Sequence, residues 1–368
     1  MTADFAITNV RISDSRGEIS LELALKDIEQ KLASAGNVPT GEFADAVATL
    51  RGLCLDDLGR VDREIMDCLK SDVAMIPAVG GHLIGAGGKR LRPLLTLCAA
   101  NMFGYQGRNH IRLAAAVELI HGATLLHDDV VDESKMRRGE STANTIWGNK
   151  ESVLVGDFIF SRSFELMVAT SDLQVLKILS HAAGVIAEGE VLQLATQNNI
   201  KSTFEMYLAV VKAKTAALFA AAGEVGAVIS GASAKESQAL RQYGEYLGIA
   251  FQLVDDALDY SGRQASLGKS VGDDFREGKM TLPVVYAFSQ ANDEERAFWT
   301  RTFNDRHQQA DDLEKAIALV ESTGALQATL ARAQNFAEQA ISALDIAPAG
   351  TQRDALIAIA KSSVQREY

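Results

Sequence analysis

Two stretches of the chain are nearly alike, Leu-Leu-His-Asp-Asp-Val-Val-Asp at 125–132 and Gln-Leu-Val-Asp-Asp-Ala-Leu-Asp at 252–259. Each stretch ends a run of apolar residues with helical spacing, and each contains Asp-Asp-x-x-Asp. Positions i and i+4 lie on the same face of a helix, so Asp128 pairs with Asp132 and Asp255 pairs with Asp259. The repeated pattern therefore predicts two helices that bring carboxylates to the mouth of a buried core.

The rest of the chain also favours helices. Only five prolines occur among the 368 residues, and none lies between Leu94 and Leu282. From about residue 46 onward, segments with helical periodicity, one of which is Glu205–Ile229, alternate with short glycine-containing breaks, and many are apolar on more than one face. We therefore expect an all-α protein, folded as a single large helical bundle with a buried central layer.

Charge and composition exclude several classes of protein. The 36 basic and 48 acidic residues give a formal net charge of −12, which argues against a nucleic-acid-binding face. The N-terminus lacks the pattern of a secretory signal, and the most apolar stretch, 216–234, is interrupted by Glu224. The three cysteines, Cys54, Cys68 and Cys98, fit no zinc spacing. The sequence predicts a soluble, cytoplasmic protein without a transmembrane segment.

The N-terminal residues differ from the remainder. Residues 1–45 contain one amphipathic pattern, with apolar side chains at helical spacing from Leu21 to Leu32, and then a Gly-Asn-Val-Pro-Thr-Gly linker at 36–41. We expect residues 1–45 to form a peripheral or partly disordered arm and residues 46–368 to form the catalytic domain.

The acidic pairs predict a metal site. Clustered carboxylates repel one another unless a cation lies between them. Hard oxygen ligands suit Mg²⁺, which binds through one or two carboxylates together with substrate phosphates. Two such clusters in one chain therefore point to a substrate that carries phosphate.

Basic residues accompany both clusters. A glycine-rich loop at 85–93 carries Lys89 and Arg92 into a helix, whose N-terminus favours an anion. The other basic groups are Arg137-Arg138 after the first cluster, Lys214 with Thr215 in mid-chain, and Lys269 and Lys279 after the second cluster. Each of these alone is more typical of a solvated surface. Their joint placement favours a diphosphate site.

At this point the chain resembles the trans-isoprenyl diphosphate synthases, and most closely the long-chain bacterial polyprenyl diphosphate synthases of the octaprenyl type, which make quinone side chains. The similarity covers about residues 50–368 and leaves the N-terminal arm unmatched. The matching motifs, in the order of the family, are GGKRLRP (87–93), HGATLLHDDVVDESKMRRG (121–139), GDFIFSRSF (156–164), EGEVLQL (188–194), KT (214–215), FQLVDDALD (251–259) and GKSVGDDFREGKMTLP (268–283).

The resemblance implies an isoprenoid-synthase bundle with a deep central cavity, usually a homodimer, that adds isopentenyl diphosphate to an allylic diphosphate such as farnesyl diphosphate. It implies that Mg²⁺, replaceable by Mn²⁺, is held by Asp128, Asp132 and Asp255, with Asp129, Asp256 and Asp259 in support. It implies contacts to the allylic diphosphate from Arg137, Lys214, Thr215, Gln252 and Lys269. It implies contacts to isopentenyl diphosphate from Lys89, Arg92, His121 and Arg138, with Lys279 as a further substrate-binding residue.

Product length follows from the helix that carries the first cluster. Ala123 and Thr124 lie about one turn before Asp128, where short-product members of the family place a bulky aromatic residue. Small residues there predict an open tunnel and a product of more than about twenty carbons, which we place at eight, nine or ten isoprene units. Release of such a product would involve transient membrane contact.

Other functions stay open at this stage. A terpene cyclase would share one aspartate-rich motif but needs no isopentenyl site. A catalytically silent partner subunit would usually have lost one cluster, and a shorter-chain synthase of the geranylgeranyl type would keep both. His121 also fits a core histidine, because it lies two turns below Asp128 on an apolar helix.

Overall fold

The computed structural model describes residues 41–261 and 272–365. The amphipathic pattern at 21–32 and Lys269 lie outside these ranges. The helices are α1 (Glu42–Leu53), α2 (Leu55–Cys68), α3 (Met75–Gly85), α4 (Leu91–Met102), α5 (Asn109–Val131), α6 (Ala143–Trp147), α7 (Asn149–Val168), α8 (Leu173–Thr196), α9 (Phe204–Val211), α10 (Ala217–Ile229), α11 (Ala234–Asp259), α12 (Asp273–Arg276), α13 (Leu282–Gln290), α14 (Asp293–Trp299), α15 (Asp312–Ser322), α16 (Ala325–Ala343) and α17 (Thr351–Ser363).

The all-α prediction is confirmed. Across 41–261 and 272–365, the β structure consists of one hairpin of two short strands, β1 (Met136–Arg137) and β2 (Glu140–Ser141), which pair antiparallel. The two turn residues, Arg138 and Gly139, both have positive φ, 54° and 81°. Such a turn matches the twist of a tight hairpin. The hairpin follows the first acidic motif directly and so fixes where Arg137 and Arg138 lie.

The centre of the bundle is built from α4, α5, α10 and α11. Helix α5 packs on α4 and α7, and α10 packs on α4, α8 and α11. Small residues allow these close approaches: a Cβ on Gly244 of α11 would collide with the carbonyl oxygen of Phe219 on α10. Most of the apolar stretch 216–234 forms α10, and most residues of α10 are buried.

One expected helix is interrupted. The periodicity predicted a single helix from Glu205 to Ile229, but a π-helical turn at Lys212–Ala216 separates α9 from α10. A π turn adds a residue to the helix and rotates the side chains that follow it, and such turns are frequent at functional sites. Here the turn contains Lys214 and Thr215.

The first described helix crosses the expected boundary of the arm. Helix α1 begins at Glu42, and Phe43 and Ala44 on it are already buried. Helix α1 packs on α17 and α4, so the start of the described chain is anchored to the main core.

None of the helices in the described ranges combines the length and the hydropathy that crossing a bilayer requires.

Candidate active site

The first acidic motif lies at the C-terminal end of α5. Asp128 is in the last turn of the helix, and Asp132 follows it and donates its backbone N–H to the carbonyl of Asp128 at 2.8 Å. The C-terminal end of a helix carries a partial negative charge, which disfavours carboxylates. These two carboxylates therefore depend on nearby cations.

Lys214 supplies one of these cations. Its Nζ lies 3.7 Å from Oδ2 of Asp128 and 2.7 Å from Oε2 of Glu190 on α8. Burial raises the pKa of Asp128 to about 7, with Lys214 acting against the rise and Glu190 adding to it. One ammonium thus serves two crowded carboxylates, and the group of three carries a net negative charge when both are ionised.

Lys279 joins the first motif to the chain that follows the second motif. Its Nζ lies 3.3 Å from Oδ2 of Asp132, and it also pairs with Glu277. Burial disfavours the charged ammonium, but Asp132, Asp274 and Glu277 outweigh burial and raise the pKa of Lys279. Lys279 therefore stays charged between two acidic segments.

Asp129 has a different partner. Its Oδ1 accepts hydrogen bonds from Nε and Nη2 of Arg137 at 2.9 and 2.8 Å, and the residue is 2% exposed. The carbonyl of Asp129 accepts from Asn144 at 3.0 Å. Arg137, expected to contact a diphosphate, thus ties the hairpin to the end of α5.

The second acidic motif is held mainly by neutral donors. Asp256 accepts a hydrogen bond from the Tyr207 hydroxyl at 2.6 Å and one from Nε2 of Gln252 at 2.7 Å, and Gln252 in turn accepts from Thr215 at 2.9 Å. Burial raises the pKa of Asp256 to about 7, while the two hydrogen bonds favour its ionised form. Burial and Asp256 raise the pKa of Tyr207 well above its usual value, so the phenol keeps its proton and donates.

Asp259 organises the start of α12. Its carboxylate accepts the backbone N–H groups of Gly272 at 3.2 Å and of Asp274 at 3.0 Å. Burial raises the pKa of Asp259 despite these bonds, and burial with Asp256 and Asp259 nearby raises the pKa of Asp274 well above its usual value. Asp274 therefore adds a fourth carboxyl group to the three of the second motif.

A cluster of arginines surrounds His121 on α5. Burial and the positive charges of Arg92, Arg138, Arg137 and Arg90 depress the pKa of His121 well below its usual value, so its ring is neutral at pH 7. Burial also lowers the pKa of Arg92 to about 10 and lowers that of Arg138. We call Arg92, Arg138 and His121 the arginine pocket.

The arginine pocket is short of anions. Among the described residues, the buried Nε of Arg92 has no hydrogen-bond partner. Nη1 of Arg90 forms an ion pair with Glu118 at 2.6 Å, and the buried Nη2 of Arg90, like Nε of Arg92, has no hydrogen-bond partner within the described ranges. A buried guanidinium donor without a partner is costly, and an incoming phosphate oxygen would satisfy it.

The glycine-rich loop shapes one wall of this pocket. A Cβ at Gly88 would lie 2.8 Å from Nη1 of Arg138, so any larger residue there would displace the guanidinium from its present position. Lys89 and Arg92 follow on the same loop and on the first turn of α4.

The two expected chain-length residues lie below the first motif. Ala123 is 1% exposed and belongs to the main core, and the Thr124 hydroxyl donates to the carbonyl of His121 at 2.8 Å. Both side chains are small, and Ala123 is buried whereas Thr124 is half-buried.

The donor set fits a hard divalent cation. The acidic groups of both motifs offer carboxylate oxygens, the ligands that Mg²⁺ prefers. Within 41–261 and 272–365, no three metal-ligating side chains converge into a ready-made metal site. A site that completes its ligand sphere with substrate phosphates needs no more than one or two carboxylates per ion.

Three residues of the site were missed by sequence reasoning. Glu190 lies within the matched motif at 188–194, and Asp274 lies within the motif at 268–283, so both could have been singled out. Tyr207 had no such signal, because it lies outside every motif and reaches Asp256 only through the packing of α9 against α11.

Comparisons with known proteins identify the family of the chain. The chain matches the polyprenyl synthetase family over residues 73–320. It is 45% identical over 315 residues to an octaprenyl diphosphate synthase of Escherichia coli, covering 86% of this chain and 97% of that one. A crystal structure of a decaprenyl diphosphate synthase from Rhodobacter capsulatus is 51% identical with a TM-score of 0.84, covering 87% of this chain and 100% of that one. A polyprenyl synthase from Caulobacter crescentus, crystallised with calcium and isoprenyl diphosphate, has the same identity and TM-score and covers 87% of this chain and 98% of that one.

Proposed function

The chain belongs to the polyprenyl synthetase family, and we propose from this premise how its two acidic motifs and its arginine pocket divide the reaction between them. It is a prenyltransferase that makes long-chain all-trans polyprenyl diphosphates. The proposed reaction adds isopentenyl diphosphate units to an allylic diphosphate such as farnesyl diphosphate.

One observation carries the assignment of the site. Lys214 and Thr215 are neighbours in the π turn, yet Lys214 contacts Asp128 of the first motif and Thr215 contacts Gln252 beside the second motif. A single turn of chain therefore holds both motifs at one site. The carboxylates there require cations, which Mg²⁺, or Mn²⁺ in its place, supplies together with Lys214 and Lys279.

The proposed chemistry begins with the allylic diphosphate. Its C–O bond breaks, and the electron pair leaves with the diphosphate, whose negative charge Lys214 and Lys279 stabilise. Bound Mg²⁺ would supply further stabilisation of the leaving group, held by Asp128, Asp132 and Asp255 with Asp129 and Asp259 in support. Lys269 joins this group in the proposal.

The arginine pocket positions the second substrate. Arg92 and Arg138, with Lys89 and neutral His121, bind the diphosphate of isopentenyl diphosphate, so that its double bond faces the allylic cation. A new C–C bond forms, and the resulting cation loses a proton to the departing diphosphate. The product is an allylic diphosphate that is longer by five carbons and ready for another cycle.

The proposed tunnel for the growing chain runs along α5 below Asp128. The small side chains of Ala123 and Thr124 leave it open, which supports a product of eight, nine or ten units rather than a geranylgeranyl product.

Ala123 is 1% exposed, so the ring added by Ala123→Phe has little room except in the proposed tunnel. We expect the first condensations to continue and the products to stop at about fifteen to twenty carbons, since one helical turn is about 5.4 Å.

Product sizing tests the function directly. The purified protein is incubated with farnesyl diphosphate, labelled isopentenyl diphosphate and Mg²⁺, and the products are separated by chromatography. Labelled products of forty to fifty carbons are expected, and addition of EDTA should abolish them until excess Mg²⁺ or Mn²⁺ restores them. Products that persist in chelator would refute the metal assignment, and a silent partner subunit would give none under any condition.

Assembly and location are also part of the proposal. Neighbouring helices α7 and α8 expose large apolar side chains, which favours burial against a second copy of the chain as a homodimer. These side chains are Val153, Leu154, Val168, Leu173, Val191 and Leu194. Sedimentation equilibrium tests this, and a monomer at micromolar concentration would contradict it.

We place the enzyme in the cytoplasm, where it takes part in the synthesis of a quinone side chain. Release of the product would involve transient contact with a membrane.

A further inference from the structure

A row of three aromatic rings lies beside the arginine pocket. Phe43, the second residue of α1, is 7% exposed, and its ring centroid lies 6.2 Å from that of Phe251 on α11. The Phe251 ring lies 6.2 Å from that of Phe219 on α10. Phe251 directly precedes Gln252, so this row adjoins the second acidic motif.

Each end of the row carries a cation. Nζ of Lys89 lies 4.9 Å from the centre of the Phe43 ring and 5.8 Å from that of Phe251. Cζ of Arg92 lies 4.3 Å from the centre of the Phe219 ring. The rings therefore contact two cations, Lys89 on the glycine-rich loop and Arg92 on the first turn of α4.

A ring and a carboxylate hold a lysine in different ways. The face of a ring attracts an ammonium through its quadrupole without neutralising it. The neighbouring Arg90 forms ion pairs with Glu118 and Asp62. A lysine side chain has four flexible carbons, so confining it before substrate arrives reduces the entropy that is lost on binding.

We propose that Phe43 is a positioning residue for isopentenyl diphosphate, which acts by holding the Lys89 ammonium over its ring beside Arg92. This inference rests on the proposed function, which places Lys89 and Arg92 on that diphosphate. It makes α1, which begins within the stretch that sequence similarity did not cover, a part of the substrate site.

The test replaces the ring while keeping an apolar side chain. Phe43→Leu should raise the KM for isopentenyl diphosphate about threefold to tenfold, the range expected for one cation–π contact. The kcat and the KM for the allylic substrate should stay within about twofold, because neither acidic motif is changed. The separate variant Phe43→Trp, which keeps an aromatic face, should keep the KM of the parent for isopentenyl diphosphate.

A matched control removes a similar contact elsewhere. Phe288 on α13 lies under Arg296, with Cζ 5.0 Å from the ring centre. Phe288→Leu should change none of the kinetic constants. Should Phe43→Leu fail to fold, 3,4,5-trifluorophenylalanine at position 43 weakens the quadrupole with little change of shape and should raise the same KM.

Lys89→Ala tests the role of Lys89 separately from the role of Phe43. If Lys89→Ala leaves the KM for isopentenyl diphosphate unchanged, the assignment of Lys89 in the proposed function is wrong. If it raises that KM while Phe43→Leu leaves it unchanged or lowers it, the positioning role alone is overturned, and Phe43 is packing or sequesters Lys89. With both correct, Phe43→Leu has no further effect in the Lys89→Ala background.

Discussion

The ends of α5 and α11 carry the same Asp-Asp-x-x-Asp pattern in opposite electrostatic surroundings. At the end of α5, Asp128 and Asp132 face the ammonium groups of Lys214 and Lys279. At the end of α11, Asp256 accepts from a phenol and an amide, and Asp259 accepts from backbone N–H groups. The first motif is thus balanced mainly by cationic side chains, and Asp256 and Asp259 of the second motif mainly by neutral donors.

The two motifs have the same Asp-Asp-x-x-Asp sequence, but their different partners suit them to different roles. An ammonium on a flexible stem can turn from a carboxylate to an incoming phosphate, so the first motif can exchange its partners when substrate binds. A carboxylate fixed by two hydrogen bonds keeps its place, and it keeps the neighbouring Asp255 and Gln252 in place as well. We infer that Asp128 acts on the reacting groups, whereas Asp256 is a positioning residue.

Neutralising one aspartate in each motif gives the largest expected contrast. Asp128→Asn removes a charge from the reacting site and should lower kcat by about 10³-fold, which corresponds to about 4 kcal/mol. Asp256→Asn should lower kcat by about tenfold, because it disturbs only the positioning of Asp255. Steady-state kinetics with both substrates measures the two effects.

A surface aspartate serves as the control for this pair. Asp67 forms only an exposed ion pair with Lys70, so Asp67→Asn should leave kcat unchanged. Equal losses for Asp128→Asn and Asp256→Asn would remove the distinction between the motifs.

Removing the hydroxyl group of Tyr207 should have a smaller effect on the second motif. Tyr207→Phe keeps the ring but leaves Asp256 with one donor fewer, which should cost about 1–3 kcal/mol of the free energy of unfolding. We expect kcat to fall about threefold to tenfold with both KM values unchanged. Urea unfolding and kinetics on the same preparation test this, and a kcat equal to that of the parent would show that Asp256 needs no second donor.

The raised pKa of Asp128 predicts a dependence of stability on pH. With its pKa at about 7 in the folded protein, Asp128 keeps a proton between its ordinary pKa of 3.8 and 7 that the unfolded chain has released. The stability contributed by this group therefore falls as the pH rises through that window. In EDTA at pH 8, Asp128→Asn should be about 1–2 kcal/mol more stable than the parent, and the gain should shrink towards pH 4.

The matching change in the second motif should have the opposite sign. Tyr207 and Gln252 donate to different oxygens of Asp256, so Asp256→Asn would leave one acceptor oxygen and place an amide NH₂ group against the other donor. Asp256→Asn should therefore destabilise the protein in the same urea experiment. A gain in stability there would mean that burial of the charge, and not its hydrogen bonding, dominates at Asp256.

The sequence predicted features that depend on neighbouring residues, namely the helices and the aspartates that share a helix face. The Asp-Asp-x-x-Asp spacing is enough to place Asp128 with Asp132 on one helix face, and the lack of prolines between Leu94 and Leu282 is enough to predict helices. The resemblance in the motifs supplied the role of Lys214, which the structure places 3.7 Å from Asp128.

Contacts between distant segments could not be predicted. Tyr207 meets Asp256, and Phe43 meets Phe251, only because of how helices pack, and neither residue has a local pattern that signals it. The π turn at Lys212–Ala216 has no glycine or proline to announce it, so its segment was expected to be a continuous helix. Arg137 was expected to contact a diphosphate, and its bond to Asp129 is not visible in the spacing.

Cation binding without turnover tests the central claim most directly. Mn²⁺ is titrated in the presence of inorganic pyrophosphate and followed by electron paramagnetic resonance, for the parent, Asp128→Asn and Asp256→Asn. Asp128→Asn should weaken Mn²⁺ binding by at least about tenfold, while Asp256→Asn should bind Mn²⁺ within about threefold of the parent. Equal weakening in both variants would contradict the division of roles between the two motifs.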